Sequence, residues 1–176
     1  NVLSGERYPR MISRQAYVYA MAYLMTGDES LLQLAKDGND WLLSRSKDPQ
    51  YGGYYPRLDA SGSVLGNDAK TAQDASYVML GPAAYYFVTR STVMETELLA
   101  ARDMIFDPFL YFDNTNQRVR DAMNFNMSAE ADVEADGGWE LVAQLDQINA
   151  YMLLVQPVLH DSARRDQFLA DMQTLS

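Results

Sequence analysis

The sequence predicts an all-α protein built from inner and outer helical hairpins, about three pairs, with a short β-hairpin carried in a long loop. Three observations carry that expectation. Segments that are apolar on nearly every side alternate three times with amphipathic ones, the pattern of inner helices backed by outer helices. The turn inside each pair is a few residues long, whereas the connections between pairs, 47–69 and 113–139, are long. Short strings also recur: Leu34-Ala35-Lys36-Asp37 aligns with Ala100-Ala101-Arg102-Asp103, as expected of a repeat architecture.

The first inner helix is expected over 11–25, where Ile12, Ala16, Tyr17, Ala20, Met21 and Leu24 leave almost no polar side. Thr26-Gly27-Asp28 breaks it, and Asp28 is placed to cap the amphipathic segment 29–44. The second pair repeats this plan. Segment 72–88 is nearly all apolar, Thr89-Arg90-Ser91 marks the turn, and 94–106 is amphipathic. In the third pair 141–159 is expected to be buried, His160-Asp161-Ser162 to turn, and 164–175 to lie outside. Both long connections carry an acid, paired glycines and an aromatic, as Asp48…Gly52-Gly53-Tyr54 and Asp136-Gly137-Gly138-Trp139. Residues 53–62 read as the β-hairpin, with a polar turn.

Composition narrows the function. The chain has 176 residues, which suits one domain over 1–176, and 48% of them are apolar, too many for a disordered chain. Its 24 acidic against 14 basic residues give a net charge of −10, which argues against nucleic acid or an anionic membrane as the partner. No apolar run reaches the length of a transmembrane helix. With no cysteine and one histidine, His160, thiolate chemistry, Cys–zinc sites and His-rich metal sites are excluded within this sequence. No phosphate-cradling glycine motif or Asp-rich calcium loop is present, so no metal and no cofactor is expected.

The polar residues of the inner helices collect at the ends that the long loops enter. Arg14 and Gln15 lie in the first, Lys70, Gln73 and Asp74 open the second, and Gln144, Asp146, Gln147 and Asn149 open the third. Mixed polar groups over an apolar core suit a neutral, hydroxyl-rich ligand, and the tyrosines and Trp139 offer stacking faces for a sugar ring. Each group also has a plainer reading. Arg14 suits a buried ion pair, the amides and carboxylates suit caps and helix-to-helix hydrogen bonds, and the Gly-Gly-aromatic strings suit turns. His160 beside a helix end and the methionines read as structural. Convergence of three clusters on one end is what favours the functional reading.

The order of short strings resembles a family. Arg14-Gln15-Ala16-Tyr17, Ala22-Tyr23…Thr26-Gly27-Asp28, Leu34-Ala35, Asp48…Tyr51-Gly52-Gly53-Tyr54…Leu58-Asp59…Gly62 and Lys70 follow one another as in N-acylglucosamine 2-epimerase-like proteins. The resemblance covers about residues 8–106 well. It implies an (α/α)6 toroid, a sugar pocket at the loop end, and epimerisation or aldose–ketose isomerisation of a mono- or disaccharide. Residue by residue, it implies that Arg14 contacts sugar oxygens, which suits its fixed array of donors. It further implies that Tyr54 or Tyr55 hangs over the pocket and that Lys70 starts the next inner helix. With Asp74 and Asn149 from the polar ends, the expected substrate-binding set is Arg14, Tyr54, Lys70, Asp74 and Asn149.

The third inner helix departs from the family pattern. Where the family shows Asn-x-x-Met-His-x-x-Glu-Ala, this sequence has Asn149-Ala150-Tyr151-Met152-Leu153-Leu154-Val155-Gln156-Pro157. Leu153 then stands for the histidine and Gln156 for the glutamate, and neither transfers a proton. No catalytic residue is therefore assigned. Two alternatives stay open: another (α/α)6 carbohydrate enzyme, a hydrolase or lyase using a pair from Asp48, Asp74, Asp136 and Asp146, or a binding module that kept the scaffold without the chemistry. Three pairs are half of a six-pair ring, and the first residue is Asn rather than Met. The expectation is that further chain completes the ring, that two copies associate as a homodimer, or that three pairs close as a compact bundle.

Overall fold

A computed structural model describes residues 5–129 and 140–176; the expected motif 136–139, with Asp136 and Trp139, lies outside the described residues. The three hairpins form as the sequence implies. Helix α1 (Pro9–Thr26) turns into α2 (Glu29–Arg45), and α5 (Thr92–Ile105) backs the second inner segment, α3 (Ala72–Val78) and α4 (Leu80–Thr89). The third inner segment runs through α6 (Leu141–Gln147), a π turn (Ile148–Met152), α7 (Leu153–Val155) and a 3-10 turn (Gln156–Val158), and α8 (Ser162–Leu175) lies outside it. Each short turn ends in a cap. Asp28 accepts the Ser30 N–H at 2.9 Å, Ser91 accepts the Met94 N–H at 3.5 Å, and Asp161 accepts the Ala163 N–H at 2.8 Å.

The second inner segment is broken rather than continuous, and the reason is local. Pro82 has no N–H to offer the Val78 carbonyl. The Ser13 hydroxyl on α1 fills that vacancy, donating to Val78 O at 2.9 Å while accepting the Gly81 N–H at 2.8 Å. Asn39 on α2 donates to the Gly81 carbonyl at 3.2 Å. Three helices thus meet at a glycine, and small residues make the approach possible: Ala20, Ala35 and Ala84 are sealed in the same interface. The aligned Ala35 and Ala101 occupy matching buried positions on α2 and α5.

The inner segments stand side by side, with α3 and α4 between α1 and α6–α7. The main core lies between the second and third pairs, where Tyr86, Tyr151, Leu98, Ile105, Met152 and Phe168 are fully enclosed. The first inner helix is not buried on every side, contrary to its composition. Met11, Val18, Leu24 and Met25 are exposed, because among the described residues nothing packs on that flank. The third shows the same, with Leu141, Leu145, Asn149 and Leu153 exposed four residues apart. Among the described residues, nothing covers the inner face of these three pairs.

Both long connections gather at one end. Strand β1 (Lys70–Thr71) pairs antiparallel with β4 (Ala122–Met123), tying the first loop to the second. Strands β2 (Phe112–Asp113) and β3 (Arg118–Val119) form a hairpin inside the second loop. In the first loop, chain reversal is held by single bridges, Leu58 to Val64 and Lys47 to Tyr54. The Asp59 carboxylate organises that turn by accepting the Ser61 and Ser63 N–H groups at 2.8 and 2.9 Å.

Candidate functional site

The polar ends of the three inner segments do converge. The Arg14 guanidinium of α1 sits over the Tyr77 ring of α3, 4.3 Å from its centroid. The Tyr77 hydroxyl points at the Asp146 carboxylate of α6, 3.4 Å away, and Gln73 donates to the other oxygen of Asp146 at 2.8 Å. Arg14 is exposed and forms no ion pair among the described residues, so the reading of it as a buried ion-pair partner is set aside. The result is a cation, a phenol, a carboxylate and an amide drawn from three helices onto one patch. Asn149 is exposed within the π turn that follows α6. A π turn inserts one residue and re-aims the side chains beyond it.

Other expected contacts lie elsewhere. Tyr54 is only 6% exposed and belongs to the main core, so it does not hang over the pocket; its neighbours Tyr51 and Tyr55 take the loop surface instead. Lys70 is also withdrawn, its side chain buried beside three aromatic rings of the loops. Its ammonium donates to Asp48 Oδ2 and to the Gly52 carbonyl, both at 2.6 Å. The rings of Tyr51, Tyr55 and Phe125 surround that ammonium at 6.0, 5.5 and 5.0 Å from their centroids. Asp74 completes a helix start: Thr71 accepts the Asp74 N–H and donates its hydroxyl to the Asp74 carboxylate, both at 2.9 Å, and Arg10 pairs with it at 3.3 Å.

Of the four aspartates considered for hydrolysis, Asp48 is committed to Lys70. Burial alone would raise its carboxyl, but the Lys70 ammonium and the Tyr51 and Gln50 N–H groups hold it below the usual carboxylate range. Asp74 is engaged by its cap and by Arg10, and Asp136 lies outside the described residues. Asp146 is thus the described candidate that faces the shared patch. Gln144 and Gln147 serve the scaffold. The Gln144 amide accepts the Val119 N–H at 2.7 Å and donates to the Val119 carbonyl at 2.5 Å, and Gln147 donates to the Ala72 carbonyl at 3.0 Å.

His160 closes the far end of the third inner segment, as its sequence position suggests. Its backbone N–H donates to Glu95 at 2.8 Å and its ring nitrogen lies 2.5 Å from the same carboxylate. Leu153 is 58% exposed, and Gln156 donates to the Arg165 carbonyl at 3.2 Å. Among the described residues no cluster of His, Cys, Asp and Glu is placed to hold a metal, and no helix is long and apolar enough to cross a membrane. Tyr77 stands in the nearly all-apolar segment 72–88 and Phe125 in the second long connection. Both act through partners far along the chain, so no local pattern marks them.

Comparison with known proteins bears on the family and the fold. A family model described as N-acylglucosamine 2-epimerase (GlcNAc 2-epimerase) matches residues 2–141. No curated protein sequence matches the chain. Among solved structures, a cellobiose 2-epimerase from Bacillus thermoamylovorans superposes with a TM-score of 0.82 at 19% identity, over 98% of this chain and 44% of that one. A D-mannose isomerase superposes at 0.78 with 17% identity, over 99% and 42%. A family 76 glycoside hydrolase (mannosidase) from Bacteroides thetaiotaomicron reaches 0.71 at 13% identity, over 97% and 43%. The chain therefore has the (α/α)6-toroid type of helical hairpin and spans less than half the length of these structures.

Proposed function

Because the chain belongs to the N-acylglucosamine 2-epimerase family, we propose that the patch formed by Arg14, Gln73, Tyr77 and Asp146 is one wall of a sugar pocket serving 2-epimerisation or aldose–ketose isomerisation. The observation that carries this reading is the convergence of these four groups from three inner helices at the end where the long loops enter. Arg14 binds sugar hydroxyl or carbonyl oxygens through the fixed array of donors on its guanidinium. Asp146 is oriented by Gln73 and Tyr77, and accepts from sugar hydroxyl groups. Asn149 adds an exposed amide on the same inner segment.

Moving a proton at the carbon beside a carbonyl needs a base and an acid within hydrogen-bond reach of it. Leu153 and Gln156 carry no such proton, and His160 is tied to Glu95 at the other end of its helix. The patch therefore binds and orients the sugar, and the proton-transferring groups come from the rest of a six-hairpin ring. The resemblance to a family 76 hydrolase favours a hydrolase less well, since Asp48 and Asp74 already have partners within the fold.

The test is binding followed by turnover. Saturation-transfer NMR on the chain with mannose, N-acetylglucosamine and cellobiose is expected to show a bound sugar. Arg14→Ala and Asp146→Asn are each expected to weaken it about tenfold, the loss of one good polar contact. Absence of binding to all three, or binding unchanged by both substitutions, overturns the assignment. A protein with a complete ring is expected to convert a free aldose to its epimer or ketose, and to lose that conversion with the Arg14→Ala change.

A further inference from the structure

The loop end carries a second concavity that the Arg14 patch does not use. An open cleft of about 520 Å³ is lined by Gln50, Tyr51, Asn67, Asn124, Phe125, Asn126 and Ser128. Its chemistry is unusual for a chain of net charge −10, because among the described residues no charged side chain lines it. It offers four carboxamides, a serine and two aromatic rings. We propose that this cleft is a saccharide-binding subsite separate from the Arg14 patch, taking a neutral, hydroxyl-rich ring against Tyr51 with the amides of Asn67, Asn124 and Asn126 on its hydroxyl groups.

The cleft walls are held in place before any ligand arrives. Tyr51 stands edge-on to Phe125, with ring centroids 6.0 Å apart, and Tyr55 stacks on the same Phe125 at 6.1 Å. Beneath them the Lys70 ammonium faces all three rings, its charge balanced by Asp48. Across the cleft the turn 124–128 is fastened by Met127, a non-glycine residue at φ +61° whose side chain is buried. Gly53 makes room for it: a Cβ there would fall 2.9 Å from Met127 Sδ. A left-handed residue held by its own buried side chain marks a loop whose shape is imposed by its surroundings.

Internal hydrogen bonds then decide which polar atoms remain for a ligand. Asn124 donates its amide to Ser128 Oγ and to the Ala129 carbonyl, leaving its oxygen as an acceptor. Asn126 accepts the Ser128 N–H and hydroxyl, leaving its NH2 as a donor. A fixed acceptor and a fixed donor on one rim match the donor–acceptor character of adjacent hydroxyl groups. Tyr51, 43% exposed, provides a face for the C–H side of a sugar ring. A polyanion is disfavoured, since among the described residues no cation lines the cleft.

The experiment uses the full 176-residue chain and saturation-transfer NMR with neutral mono- and oligosaccharides, a uronic acid and a nucleoside as probes. Tyr51→Ala and Asn67→Ala alter exposed positions, and a thermal melt checks that they fold. At least one neutral saccharide is expected to bind, with its affinity kept in Arg14→Ala and lowered about tenfold in each cleft variant. Binding lost in Arg14→Ala but kept in both cleft variants overturns this subsite while supporting the Arg14 pocket. No saccharide binding, or a nucleoside that alone depends on Tyr51, also overturns it.

Discussion

The Lys70 ammonium lies 2.6 Å from the Asp48 carboxylate, and each side chain is 1% exposed. The pair joins the start of the second inner helix to the first long loop, and Gly52 supplies a further acceptor. Removing one partner of such a pair leaves the other charge buried and uncompensated. Lys70→Ala is therefore expected to cost about 3–5 kcal/mol, read as a lower midpoint in urea. A change below about 1 kcal/mol would show that water reaches the site and that the loop is not pinned by it.

The same pair gives stability a pH dependence. Asp48 is held below the usual carboxylate range in the folded chain, so its contribution is present above the unfolded value and is lost as pH falls through the folded one. Unfolding free energy of the natural chain is expected to fall below about pH 4. In Lys70→Met, burial acts on Asp48 without its cation, and the variant is expected to gain stability as pH drops from 7 toward 5. Parallel pH profiles for the two proteins would contradict the assignment.

Ser13 and Pro82 form a compensating couple. Ser13→Ala strands the Val78 carbonyl and the Gly81 N–H, at a cost of about 1–3 kcal/mol. Pro82→Ala restores an N–H within reach of Val78 and is expected to make the Ser13 substitution less costly. A double-mutant cycle measures this directly, and strict additivity would rule the coupling out.

Gly81 is needed for space rather than for φ. A Cβ there would fall 2.7 Å from Asn39 Oδ1, 2.8 Å from the Ser13 carbonyl and 3.0 Å from the Ala16 Cβ. Gly81→Ala is expected to destabilise by about 1–3 kcal/mol, although alanine favours a helix elsewhere. An unchanged or raised melting temperature would mean that α1 and α4 separate at no cost.

Gln144 acts as a substitute strand, because its amide both donates to and accepts from Val119 on the free side of β3. Gln144→Leu is expected to accelerate hydrogen exchange at the Val119 N–H, while the amides of α5 keep their protection. Equal acceleration at both places would show global destabilisation instead.

Local patterns determined the helices, the capped turns and the end at which polar groups gather. These features depend on residues within a turn or two of one another: Asp28, Ser91 and Asp161 cap the helices they precede, and Ala35 and Ala101 keep the period of a buried face. Arg14 and Asp146 were legible as polar residues at inner-helix starts for the same reason. Only the tertiary structure decided what those residues do. Asp48 and Lys70 stand 22 positions apart, Gln73 and Asp146 stand 73 apart, and Ser13 and Val78 stand 65 apart. Whether a polar side chain binds ligand or holds the fold depends on which distant atom reaches it first. Lys70 met a buried carboxylate and became part of the frame, whereas Arg14 met the face of Tyr77 and the Met11 sulfur and stayed exposed, without a carboxylate partner among the described residues.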